Sequence, residues 1–212
     1  MKQKLFLPFI DNGMGLSRTS WALSMFSLAL SPVLDAYEID AQGISYPYPD
    51  GAMNIATADF LESGADRMLI IDTDEIFNPS HIELLLSHDV PVISGVYPKK
   101  KPGLEFPVVP LESNPAPFAE GQPIPVEVAR AARGFMAIHR DVFTSLESRA
   151  ESYIDSETGR SGRIYWPTLP GGHSEDFGFC DLYRSIGGKI LVDKHCTAKH
   201  EGSCVYPIPG TY

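Results

Sequence analysis

Apolar and polar positions follow two rhythms along the first hundred residues. Residues 4–10, KLFLPFI, are a nearly unbroken apolar run and predict a strand. Residues 18–30 carry apolar positions at helical spacing, and residues 34–39, LDAYEI, predict a second strand. A helix is expected over 50–63, with Asp50 as its cap and Gly64 as its stop. RMLIID, residues 67–72, is too apolar for a half-exposed strand and predicts a central, parallel one. Asn78 and Pro79 make a cap and first-turn pair for a helix through residue 87, and VPVISGVY, residues 90–97, is a fourth strand. Strand and helix alternating in this way predict an α/β layer.

The rhythm changes after Tyr97. PKKKPG is a basic turn, and residues 104–125 are a proline-rich excursion. Strand-like segments follow at 126–132 and 135–139, then a short helix at 141–148. Residues 149–173 read as a loop, and Ser174 caps a last helix whose Phe177, Cys180, Tyr183 and Ile186 keep helical spacing. KILVD, residues 189–193, is the closing strand.

The chemistry concentrates where RMLIID runs into carboxylates. In open α/β sheets ligands bind beyond the carboxyl ends of the strands. Asp72 and Asp74 stand two apart at such an end, so in extended backbone they project to one side. Close carboxylates repel unless a cation sits between them. Mg²⁺ or Mn²⁺ suits such oxygen ligands and bridges to substrate phosphates. The same residues serve a plainer purpose as loop or capping groups.

A buried strand ending in Asp-x-Asp after IATADFLESGADRMLII resembles the donor half of the GT-A fold glycosyltransferases, in their compact, family 2-like bacterial and phage form. GVYPKKKPG, ARGFMAIHRDVFTSL, GGHSEDFGFCDLYRSIGGKILVD and AKHEG are similar to later segments of that family in the same order, over residues 4–202. The resemblance implies one GT-A domain over 1–212, an α/β fold with a mainly parallel central sheet flanked by helices. Its nucleotide-sugar-binding half is 1–97 and its acceptor half 98–212. It further implies that Asp74 coordinates Mn²⁺ or Mg²⁺, that Asp72 contacts the ribose or the metal, and that His200 completes the cation site. Asp176 or Glu175 is the implied catalytic base, although acids at a helix start also favour its dipole. Asn54 falls at a donor-contact position, but Met53 stands where relatives carry arginine. Gly134 would allow close approach to the sugar, with Phe135 beside the donor or simply in the core. Lys100, in the basic turn, would help with the diphosphate. The implied reaction moves a sugar from a nucleotide diphosphate, with UDP the nucleotide implied, to an acceptor hydroxyl with inversion. The acceptor is a glycan, a protein or hydroxymethylated pyrimidine in phage DNA.

Composition trims the alternatives. Seventeen basic and twenty-seven acidic residues leave a charge of -10, which disfavours non-specific nucleic-acid binding. A local groove built from Arg130, Arg133, Arg140, Arg160 and Arg163 would override it. Three cysteines make no disulfide framework, and no apolar run spans a bilayer, so a cytoplasmic protein is expected. Three competing readings remain, one of them a catalytically inactive sugar-binding relative. His195, Cys196, His200 and Cys204 could hold zinc in a small binding module. A nucleotidyltransferase would use the same carboxylate pair, with DNGMGLSR as its phosphate loop, although that segment lacks G-x-G-x-x-G.

Overall fold

The computed structural model describes residues 2–11, 18–154, 159–169, 174–208 and 210. The glycine-containing segment 12–17 lies outside them, as do residues 155–158 and 170–173. In chain order the elements are β1 (Gln3–Asp11), α1 (Thr19–Ala29), a 3-10 turn (Pro32–Ala36), β2 (Tyr37–Ser45), α2 (Pro49–Ser63), β3 (Arg67–Ile71), β4 (Glu75–Phe77), α3 (Pro79–Ser87) and β5 (Val92–Val96). After the basic turn come β6 (Val108–Val109), β7 (Val126–Val128), β8 (Arg130–Ala131), β9 (Phe135–His139), α4 (Arg140–Leu146), β10 (Glu151–Ile154), β11 (Ser161–Ile164), α5 (Glu175–Ser185), β12 (Ile190–Glu201) and β13 (Val205–Tyr206).

The large sheet runs β13-β12-β5-β9-β3-β1-β2, with β4 and β7 pairing on β12. The α/β layer expected from the sequence is present. β1 pairs in parallel with both β2 and β3, and β5 with β12. Into this layer β9 enters antiparallel between β3 and β5, bringing a strand from the second half of the chain into the middle of the sheet. Alternation along β3 divides the core. Met68 and Ile70 pack on one face with Met53, Phe60, Trp166 and Phe179, while Leu69 and Ile71 face Trp21, Leu28, Ile82 and Leu85 on the other.

Several expectations are corrected. Residues 34–36 belong to the 3-10 turn, and the second strand runs on to Ser45 through polar residues. It is an edge strand registered to β1 along its whole length, so ladder bonds rather than apolar side chains define it. Tyr48, not Asp50, holds the N-cap position of α2, because Pro49 takes the first turn. Gly64 does end that helix, at φ 71°, the left-handed cap that glycine adopts freely. Asn78 caps α3 by accepting from the Ser80 amide at 3.0 Å. Residues 149–173 are not simply a loop: β10 and β11 pair antiparallel, apart from the large sheet, with mostly partly exposed side chains that leave no apolar alternation. The last strand extends from residue 190 to Glu201, since its polar second half pairs with β4 and β13.

Candidate functional site

The end of β3 does not continue extended through the acids. The Glu75 amide donates to the Asp72 carbonyl at 3.0 Å, closing a turn before the short strand β4. The turn sends the two aspartates to different partners, so they do not share one side as extended backbone would require. Asp72 pairs with the Arg133 guanidinium, whose Nε also reaches Glu175 Oε1 at 3.1 Å. Arg133 is buried; desolvation opposes its charge, but Asp72, Glu175 and Asp176 outweigh that and raise its pKa further. One arginine thus ties the end of β3 to the start of α5.

Asp74 faces the other way, toward β12 and the basic turn. It pairs with the Lys100 ammonium, and His200 Nε2 lies 3.6 Å from its Oδ1. Burial pushes the Asp74 pKa up, yet His200 and Lys100 prevail and hold it at about 2. His200 is positioned by antiparallel pairing of β12 with β4, which sets it opposite Glu75. Its Nδ1 is 2.9 Å from the Pro98 carbonyl oxygen. A carbonyl only accepts, so Nδ1 carries a proton, and Nε2 faces the acids, donating to them when the ring is charged and offering its lone pair to a cation when it is neutral. Nε2 is 3.7 Å from Glu75 Oε1.

Glu75 supplies the fit test for a cation. It is 0% exposed, and neither carboxyl oxygen has a hydrogen-bond partner. Burial, with Asp72 and Asp74 adding repulsion, raises its pKa well above the ordinary value. Ligand atoms of Asp74, Glu75 and His200 lie within 4.8 Å of one another. Two carboxylates and an imidazole lone pair, one carboxylate otherwise orphaned, fit Mn²⁺ or Mg²⁺. Asp72 is not in this group, whose second carboxylate is Glu75.

Gly134 sits beneath Asp72. A Cβ there would come within 2.8 Å of the Tyr97 hydroxyl and 3.0 Å of Asp72 Oδ2. The Gly134 amide donates to the buried Tyr97 hydroxyl at 3.1 Å, and the Tyr97 ring meets His200 edge-on at 5.2 Å. Phe135 is fully buried, packed on Phe77 and against Gly95, so its ring faces the core. Asn54 is likewise turned inward: its Oδ1 accepts from the amides of Tyr165 and Trp166 at 2.8 and 3.1 Å. Lys100 lies on Asp74, its stem against Gly202, where a Cβ would meet it at 3.2 Å.

Asp176 lies in the first turn of α5, with its Oδ1 accepting from its neighbour Phe177's amide at 2.8 Å and from Ser174. Burial raises its pKa, helped by Glu175 and opposed by Ser174 and Arg133. Unlike Glu175, it has no arginine partner among the described contacts. Beside α5, a cleft of about 930 Å³ is lined by Tyr46, Tyr48, Tyr153, Trp166 and Thr168, among others. Its wall is fixed to α5, because Gly178 lies so close that a Cβ would overlap the Pro167 carbonyl.

Glu75, Arg133 and Tyr97 are the site residues that sequence reasoning left without a role there. Glu75 stood in view beside Asp74, and the signal was its place one residue past the pair. The zinc set dissolves. Cys196 and His200 lie on a strand, where four residues span about 13 Å, too far to share an ion. The five arginines form no open groove: Arg130 pairs with Asp181, Arg160 with Asp59 and Glu62, and Arg133 as above. Arg140 donates to the carbonyls of Phe60, Leu61 and Ala65, and Arg163 to that of Ala150.

No family model and no curated protein matches the chain. Solved structures do. A197 from STIV superposes with a TM-score of 0.53 at 18% identity, over 95% of this chain and 86% of that one. GalNAc-T7 with UDP, GalNAc and Mn²⁺ superposes with a TM-score of 0.53 at 14% identity, over 94% of this chain but 44% of its own length. At such identities the likeness is one of backbone: the chain has a mixed α/β fold, a large central sheet flanked by helices, similar to that of a GT-A glycosyltransferase.

Proposed function

We propose that the chain is a metal-dependent glycosyltransferase, moving a sugar from a nucleotide diphosphate donor, UDP by preference, to an acceptor hydroxyl. One observation carries the reading: Asp74, the orphaned Glu75 and the Nε2 of His200 converge at the carboxyl end of the central strand of a GT-A-like sheet. A divalent cation held there would stabilise the charge that develops on the departing diphosphate. GalNAc-T7, part of whose fold this chain resembles, was solved with UDP, GalNAc and Mn²⁺, which supports the choice of donor and ion.

Asp176 is the base. Its raised pKa makes it a better proton acceptor than an ordinary aspartate, and proton removal from the acceptor hydroxyl favours inversion. Arg133 positions it by locking Glu175 to Asp72. Residues 1–97 form the donor half and 98–212 the acceptor half. The cleft suits a sugar ring, since the faces of Tyr46, Tyr48 and Tyr153 can stack on its apolar side. A glycan acceptor is therefore favoured over DNA, whose basic groove lacks free arginines.

Donor hydrolysis over UDP-, GDP- and TDP-sugars, with and without Mn²⁺, tests the proposal. Turnover should require the metal and vanish in Asp74→Ala. Asp176→Asn should keep donor affinity while losing about 10²–10⁴-fold in rate. Undiminished metal-free turnover in Asp74→Ala would sink the mechanism.

A further inference from the structure

A second group of ligand-type side chains lies farther back along β12. There the strand breaks register: β5 advances from Ser94 to Val96 while β12 advances from Val192 to Thr197. The surplus residues bulge, and a bulge re-aims side chains. The Cys196 carbonyl presses on β5 where Gly95 admits it, since a Cβ there would sit 2.5 Å away. Asp193 is 1% exposed and Cys196 0%.

α3 delivers the partner. His88, which ends that helix, places Nε2 2.8 Å from Asp193 Oδ2. Ligand atoms of His88, Asp193 and Cys196 all lie within 4.8 Å of one another. His195, in the bulge itself, has Nδ1 3.6 Å from Asp193 Oδ1 but stands outside this group. His81, two turns earlier on α3, is engaged elsewhere: its Nδ1 accepts from the Thr197 amide at 2.6 Å.

The geometry points to a zinc site formed by His88, Asp193 and Cys196, with its fourth position left to water, separate from the Asp74 cluster. An imidazole, a thiolate and a carboxylate are a borderline-soft set that favours Zn²⁺ over Mg²⁺ or Mn²⁺. Tetrahedral bonds of about 2.0–2.3 Å keep neighbouring ligands roughly 3.5 Å apart, so the cluster needs shifts of only about 1 Å. On binding, the Cys196 thiol releases one proton to solvent and its sulfur bonds the metal, while the His88 imidazole enters neutral. The ion would join the end of α3 to the bulge and anchor the strand that carries His200. The inference does not depend on the donor or acceptor assigned above.

Cobalt(II) added to the chelator-treated full chain provides the probe. One equivalent should give intense visible bands and a near-ultraviolet thiolate-to-cobalt band, both abolished by one equivalent of zinc. The thiolate band should vanish in Cys196→Ser and persist in Cys204→Ser and Asp74→Ala. His88→Ala should weaken cobalt binding more than roughly tenfold. Circular dichroism and Mn²⁺ binding check that Cys196→Ser folds; should it not, His88→Ala, at a partly exposed side chain, decides. Absence of a thiolate band, its survival in Cys196→Ser, its loss in Asp74→Ala, or unaltered affinity in His88→Ala would each overturn the site.

Discussion

At Glu75 the chain buries a carboxyl group with neither oxygen hydrogen-bonded, beside two further acids. Without a cation the folded state holds the Glu75 proton to a higher pH than the unfolded chain does. The resulting cost is absent below the ordinary glutamate pKa and grows as pH rises toward the raised folded value, so metal-free stability should fall over that window. Glu75→Gln removes the charge. Its metal-free form should be more stable than wild type at pH 8 by on the order of 1–3 kcal/mol, while Mn²⁺ affinity drops, as thermal melts with and without the ion would show. Gly134 is the opposite case, a residue whose value is the atom it lacks. Gly134→Ala pushes on the Tyr97 hydroxyl and Asp72 together and should cost about 1–3 kcal/mol in denaturant titration. Donor binding should weaken with it, since Tyr97 packs on His200.

Asn54 acts between elements. From α2 it receives two buried amides of the segment after β11, and the Trp166 indole donates to Thr57 on the same helix at 2.8 Å. Asn54→Ala would leave two buried N–H groups unpaired and should destabilise by about 1–3 kcal/mol in urea unfolding. Its Mn²⁺ affinity should be unchanged, because none of these bonds reaches the Asp74 cluster. At the end of α2, Gly64→Ala should cost about 1–2 kcal/mol by the same measurement. No atom lies within 4 Å of the new Cβ, so the cost is purely that of a left-handed backbone. β12 is the element with the most varied partners: β7 before its bulge, β5 on both sides of it, and β4 and β13 after it. That change of partner is what brings His200 to Asp74.

For the whole molecule, charge and pairing point the same way. The net charge is -10, and the arginines that would have lined an acceptor groove are tied to carboxylates or backbone carbonyls. Duplex DNA should therefore not be retained in a gel-shift assay even at low salt, where non-specific electrostatic binding is strongest. Among the described residues no helix is long and apolar enough to cross a membrane.

The α/β layer, the apolar β3, the Asn78–Pro79 start of α3 and the stop at Gly64 were all legible along the chain. Each follows from interactions within a few residues: side-chain periodicity, a cap, a left-handed glycine. The acids of the site were visible too, as residue types at a strand end. What the tertiary structure alone decided was how they are shared out. A turn after Ile71 sends Asp72 to Arg133 and Asp74 to His200, and Glu75 joins the cluster because β4 pairs with β12. The insertion of β9, the hairpin β10–β11, the bulge near Cys196 and the pairing of every groove arginine are likewise long-range. Contacts between residues far apart in sequence leave no local periodicity, so only the closed fold specifies them.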